Sequence, residues 1–172
     1  NISGGSKNST YMISGGYYDQ ESNFVGADYG VKRYNFRTNM STEYQRLKLS
    51  TSMAYVRTDG TDHTTSSGTL IVDASRIPVY NTYSMKDANG RYLVNDVLSE
   101  FNPLGILEAG GKTWKDEDNF TGSVNADLDI IDGLKLRGVF GGDLRSNHRL
   151  IMRKKVPFYA SETATVPSRS EE

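Results

Sequence analysis

The sequence predicts an all-β fold, an antiparallel up-and-down meander of about six strands. Three observations predict it. Apolar and polar residues alternate with a period of 2 in one segment after another. Glycine and tyrosine are abundant, at 17 and 11 of 172 residues, while proline is held to 4. Nowhere do Ala and Leu keep a helical period for more than two turns.

Ile2 to Ser6 opens the chain as a short strand, and Lys7-Asn8-Ser9 follows as a tight turn. Tyr11 to Tyr18 sets Tyr11, Ile13, Gly15 and Tyr17 against Ser14, Gly16 and, just beyond, Gln20. Val31 to Thr42 sets Tyr34, Phe36 and Met40 against Arg33, Asn35, Arg37, Asn39 and Ser41. After a tight turn around Glu43 to Arg46, Leu47 to Arg57 opposes Leu47, Leu49, Met53 and Tyr55 to Lys48, Ser50 and Ser52. Phe120 to Ile130 is the cleanest case: Phe120, Val124, Ala126, Leu128 and Ile130 oppose Thr121, Ser123, Asn125, Asp127 and Asp129. A helix would mix these two sets around its circumference; only a period of 2 separates them. Asp132-Gly133 favours a hairpin turn because both residue types tolerate positive φ. Leu134 to Asp143 then places Leu134, Leu136 and Phe140 against Lys135, Arg137 and Asp143.

The connections alternate short and long. Between the tight turns lie Asp19 to Gly30, Thr58 to Asp118, and Leu144 onward. In an up-and-down sheet this puts every tight turn at one end, the asymmetry of outer-membrane barrels with their short periplasmic turns and longer extracellular loops. The expected architecture is therefore an arc of a large transmembrane β-barrel. Residues 1–57 would form two hairpins of barrel strands, 58–118 one long extracellular loop, 119–143 a further hairpin, and 144–172 a loop or a disordered end. Tyr34, Phe36, Met40, Phe120, Val124, Leu128, Leu136 and Phe140 would face lipid. A soluble β-sandwich that binds carbohydrate is the alternative, because it too puts one face into a core and one into water. Greek-key connections of mixed length at both ends would mark the sandwich.

Composition excludes several functions. Lys and Arg total 20 against 21 Asp and Glu, a net charge of −1, which gives no electrostatic reason to expect nucleic acid. Cysteine is absent, which removes disulfides and thiolate metal sites. The mean hydropathy of −0.57 and the lack of a long apolar run exclude helical spans, but not barrel strands, whose polar residues cancel the average. The sequence opens on Asn1 without an initiator Met or a signal peptide, so a longer parent chain is expected.

Several segments resemble one family in order. Asn-Ile-Ser-Gly-Gly-Ser (1–6), Tyr-Met-Ile-Ser-Gly-Gly-Tyr (11–17), Lys-Arg-Tyr-Asn-Phe-Arg-Thr-Asn (32–39), Ile-Pro-Val-Tyr-Asn (77–81), Asn-Gly-Arg-Tyr (89–92), Phe-Asn-Pro-Leu (101–104) and Asp-Gly-Leu-Lys-Leu-Arg (132–137) are similar to SusC/RagA-type TonB-linked outer-membrane transporters. The resemblance implies a barrel of about 22 strands around an N-terminal plug, in the bacterial outer membrane. It also implies import of oligosaccharides or peptides, a SusD-like surface lipoprotein as lid, and energy from the TonB complex. The chain departs by omission: no plug, no TonB box, and fewer strands than the roughly 8 that close a barrel. No enzyme activity and no cofactor are expected.

Arg33, Arg37, Asn125, Asp127, Asp129, Lys135 and Arg137 would face the lumen. They read either as a polar lining for substrate or plug, or, preferably, as a ladder of cross-strand pairs. Tyr11, Tyr17, Tyr18, Tyr29, Tyr34, Tyr44 and Tyr55 favour strand ends; a membrane–water boundary and plain strand propensity explain them equally. Asp116-Glu117-Asp118-Asn119 lacks the spacing of a calcium loop and reads as a solvated loop end. His63 and His148 stand alone and are expected to be exposed. In the long loop, Tyr80, Tyr83, Tyr92, Phe101 and Trp114 are the candidates for substrate contact, since sugars stack on aromatic faces. A minicore beside Leu93 and Leu98 is the preferred reading, because so long a loop must bury apolar area to offset its ordering entropy. Leu93, Val97, Leu98 and Phe101 have helical spacing, and Asn102-Pro103 would stop such a helix.

Overall fold

The computed structural model describes residues 1–25, 29–77, 84–94, 102–167 and 169–171. In chain order the elements are β1 (Ile2–Gly5), β2 (Ser9–Glu21), β3 (Gly30–Tyr44), β4 (Leu47–Asp62), α1 (Ser67–Arg76), β5 (Tyr92–Leu93), α2 (Pro103–Ala109), β6 (Gly111–Ile131), β7 (Leu134–Arg153), β8 (Val156–Tyr159) and β9 (Arg169–Glu171). Strands β1-β2-β3-β4-β6-β7 form one sheet in sequence order. That is the expected all-β meander.

Its strands alternate in direction. Ile2 pairs with Ile13 and Gly5 with Thr10 across β1 and β2. Asn39 meets Ser52 and Ser41 meets Ser50 across β3 and β4. The Asp129 amide donates to the Arg46 carbonyl at one end of the β4–β6 pair, and the Tyr55 hydroxyl reaches Asp118 towards the other. Lys135 meets Asp129 and Arg145 meets Asn119 across β6 and β7. Residue numbers rise on one strand as they fall on its neighbour, so each pair is antiparallel.

The three tight connections lie at one end of this sheet. Ser6 donates its amide to the Ser9 carbonyl at 2.7 Å. Gln45 (φ 53°) and Gly133 (φ 89°) take the left-handed conformation that lets a short hairpin follow the strand twist. The longer connections leave from the opposite end.

The strands run further than alternation indicates. β4 continues to Asp62, β6 begins at Gly111, and β7 continues to Arg153. Beyond Arg57, before Phe120 and after Leu144, both faces of the strand become largely polar, so the apolar–polar contrast fades while the backbone pairing persists. The run Asp116 to Asn119 is therefore strand and not a loop end. Past residue 144 the chain continues as the rest of β7, to Arg153, and as β8 and β9.

Two compact units divide the chain. The first holds Asn1–Gln20, Val31–Gly60 and Lys115–His148, which is the body of the large sheet; the second holds Glu21–Gly30, Thr61–Trp114 and Arg149–Glu172. The second unit has its own core, where Val156 and Phe158 are fully buried and Val94 is nearly so, with Tyr92, Ile106 and Ala109 packed against them. Strand β8 pairs in parallel with β5 and antiparallel with β9. Leu93, placed at the start of an expected helix, is in strand β5; the remainder of that helix, 95–101, lies outside the described residues.

Candidate functional site: an apolar band and a polar face

A strand sends successive side chains to opposite faces, and contacts identify the faces here. The Tyr17 and Tyr34 rings meet at a tilt, 5.2 Å apart, on neighbouring strands, Ser9 bonds Thr42, and Tyr55 bonds Asp118. One face therefore carries Tyr11, Ile13 and Tyr17 of β2, Tyr34, Phe36, Met40 and Tyr44 of β3, Leu47, Leu49, Met53 and Tyr55 of β4, Phe120, Val124, Leu128 and Ile130 of β6, and Leu134, Leu136, Phe140 and Leu144 of β7. Phe140 is 79% exposed and Leu136 58%. Phe120, Leu128, Met40 and Phe36 are exposed as well. A sandwich would seal this row in a core.

The row has sharp limits. At the loop end the same face turns polar at Asp19 on β2, Arg57 and Asp59 on β4, Asp118 on β6 and Ser146 on β7. Arg57 and Asp59 pair there at 2.9 Å, with Asp118 at 3.9 Å from Arg57. Tyr17, Tyr34, Tyr55 and Phe120 form the loop-end border, while Tyr11 and Tyr44 stand at the turn end. Tyr18 and Tyr29 do not belong to these borders. Tyr18 points to the other face, and Tyr29 is buried in the second unit, its hydroxyl donating to the Leu107 carbonyl at 2.8 Å.

The opposite face is mostly polar, although Met12, Tyr18, Val56 and Val139 also lie on it. Arg137 pairs with Asp127 at 2.5 Å and Lys135 with Asp129 at 3.2 Å. Farther along β6 and β7, Arg145 donates to Asn119 at 2.7 Å and lies 3.7 Å from Glu117. Asp116 and Asp118 share one face and Glu117 and Asn119 the other, so the acidic run cannot converge on one ion; among the described residues no group of acids and histidines could hold a metal. Asn39, Ser41, Ser50, Ser52 and Asn125 line a shallow neutral groove at mid-sheet. Arg33 and Arg37 form no ion pair among the described residues, and both are exposed.

In the second unit, hydrogen bonds knit the long connection together. Asn102 caps α2 by accepting from the Gly105 amide, and its own amide donates to the carbonyls of Met85 and Leu93, both at 2.8 Å. Tyr92 packs on Phe158 and donates to Glu108 at 3.0 Å. Burial and that acidic partner push its hydroxyl up to about 12. Lys86 forms an ion pair with Glu108 and, outweighing the effect of burial, holds that carboxyl below its ordinary value. Of the aromatic candidates, Tyr92 thus serves the minicore, Trp114 is half-buried in β6, and Tyr80, Tyr83 and Phe101 lie outside the described residues. His63 is not exposed: it is 4% accessible, with Phe24 and Tyr29 edge-on at 5.0 and 5.8 Å. His148 is exposed, on β7 rather than a loop.

Against known proteins, a stretch of 149 residues covering 81% of the chain is 26% identical to TonB-dependent receptor P3 of Formosa agariphila. The chain is distantly similar to a TonB-dependent receptor. It spans 14% of that receptor's length. No family model matches.

The similarity suits a sheet with one apolar and one mostly polar face. Sequence reasoning picked out the ion pairs of Asp127, Asp129, Lys135 and Arg137 but passed over Arg145, whose alternation partners lie beyond the apolar stretch. Asn102-Pro103, expected to stop a helix, instead starts α2 with Asn102 as its cap, and the turn at Lys86 to Gly90, legible from its Asp and Gly, gave no sign of the further bonds of Asp87 and Arg91.

Proposed function

We propose that the chain is an arc of the transmembrane barrel of an outer-membrane TonB-dependent transporter that imports oligosaccharides or peptides. The exposed apolar row carries this reading. From Phe120 to Ile130 it occupies about 11 residues of strand, which at ~3.4 Å each and a tilt of ~45° cover about 25 Å, the height of a bilayer's apolar band. Tyrosines border that band where a ring can hold one edge in hydrocarbon and its hydroxyl in water. The distant similarity to a TonB-dependent receptor supports the same reading.

In this reading the parent chain closes a barrel of about 22 strands, and the polar face carrying Arg33, Arg37, Asn125, Asp127, Asp129, Lys135 and Arg137 lines its interior. The function is gated passage, with no bond made or broken. A SusD-like lipoprotein would cover the outer mouth and the TonB complex would supply energy, both through parts of the parent chain beyond these residues. Among the described residues Tyr92 and Trp114 stay as substrate candidates only at the rim of the folded connection. The test is uptake and fractionation: the parent protein is expected in the outer membrane of detergent-extracted cells, with uptake of an oligosaccharide or peptide lost on its deletion. Recovery as a water-soluble periplasmic or secreted monomer would overturn the proposal.

A further inference from the structure

The Asn-Gly-Arg-Tyr segment at 89–92 has a role that transport by the sheet does not explain. Gly90 turns the chain at φ 79°, and Asp87 organises the turn by accepting the amides of Asn89 (2.9 Å) and Arg91 (2.8 Å). All three nitrogens of the Arg91 guanidinium are then engaged. Its Nε donates to Asp87 at 2.6 Å, while Nη1 and Nη2 donate to the carbonyls of Ala164 (2.9 Å) and Glu162 (2.7 Å). Its guanidinium also lies 4.8 Å from the Tyr159 ring centroid.

We infer that Arg91 is a latch, holding the connection between β8 and β9 closed against the 84–93 turn through its grip on the carbonyls of Glu162 and Ala164. Among the other ties of this turn, those of Asn102 and of the Tyr92 ring are deep, with Asn102 2% accessible and Phe158 fully buried, whereas the Lys86–Glu108 pair is partly exposed and joins the turn to α2 instead. The latch bonds are at the rim, where Glu162 and Thr163 are exposed. Water can replace the guanidinium at those carbonyls without uncovering the core. Opening therefore releases residues 160–167 alone and leaves the minicore intact. A planar fork is required for the grip, because one group must reach a carboxylate and two carbonyls at once; a lysine ammonium keeps the charge but not the geometry.

The test is limited digestion of the detergent-solubilised chain with a glutamate-specific protease, comparing the wild type with Arg91→Lys and Arg91→Ala. Cleavage after Glu162 follows the open population where opening is fast relative to cutting. It is expected to rise about tenfold or more in both variants, the size of losing bonds to a charged donor, with cleavage after Glu108 unchanged. Equal cleavage after Glu162 in all three proteins would overturn the latch. So would a parallel rise after Glu108 in both variants, because Arg91 would then support the whole unit. The chain lacks cysteine, so spin labels on Ala88→Cys and Thr165→Cys give a second reading. One narrow distance in the wild type and a broad one in Arg91→Lys are expected; identical distributions would contradict the inference.

Discussion

Val124, Met40 and Phe140 lie near mid-height of the apolar row, and Ile130 lies at its turn end. In a bilayer, depth decides the cost of a charge. Arginine at Val124, Met40 or Phe140 is expected to destabilise the folded parent barrel by about 2–4 kcal/mol, and at Ile130 by about 0–1 kcal/mol; equilibrium unfolding in lipid vesicles measures both. Asn102→Ala removes the cap of α2 and takes the side-chain donor from the buried Leu93 carbonyl, while the Met85 carbonyl keeps the Leu93 amide. A loss of about 1–3 kcal/mol of local stability follows, read as faster amide exchange at Leu93 and Gly105. Burial works against the Asp87 carboxylate, but the Arg91 amide, its guanidinium and the Asn89 amide hold its value below the ordinary one. Because the folded value is depressed, its stabilisation is full above the ordinary carboxylate range and is lost as pH falls through the lowered value. Protection of the Asn89 and Arg91 amides, relative to the intrinsic exchange rate at each pH, should therefore fall in acid, and protection at mid-strand positions of β6 should not follow it through the same pH window.

At the scale of elements, the strands were legible wherever the two faces differed. Phe120 to Ile130 alternates because one face is apolar and the other polar, and a period of 2 can be read there directly. Where strands leave that zone, as at Asp59 to Asp62 or Arg145 to Arg149, polar residues or glycine occupy both faces and the pattern vanishes although the strand continues. The small sheet was illegible for another reason: β5 spans Tyr92–Leu93 and β8 Val156–Tyr159, too few residues to show any period. The burial of His63 likewise depends on Phe24 and Tyr29, distant in sequence. Close approach adds a further expectation. Gly105 of α2 packs where a Cβ would come within 2.6 Å of the Phe158 ring. Gly105→Ala should disturb the second unit, lowering its protection from exchange, with the large sheet unaffected.

For the whole molecule, the sheet ends on β1 at one side and β7 at the other, and its apolar row is bare. Edges and rows of this kind associate. The isolated chain is expected to aggregate without detergent, whereas a monodisperse, detergent-free monomer would count against a membrane setting. The central claim concerns what touches the row of Val124 and Leu128. In a cysteine-free background, single cysteines at positions 124 to 129 of the bilayer-inserted parent protein can each carry an environment-sensitive fluorophore, with brominated lipid as quencher. Strong quenching at 124, 126 and 128 and weak quenching at 125, 127 and 129 is the expected result. Uniformly weak quenching at all six positions would contradict the account.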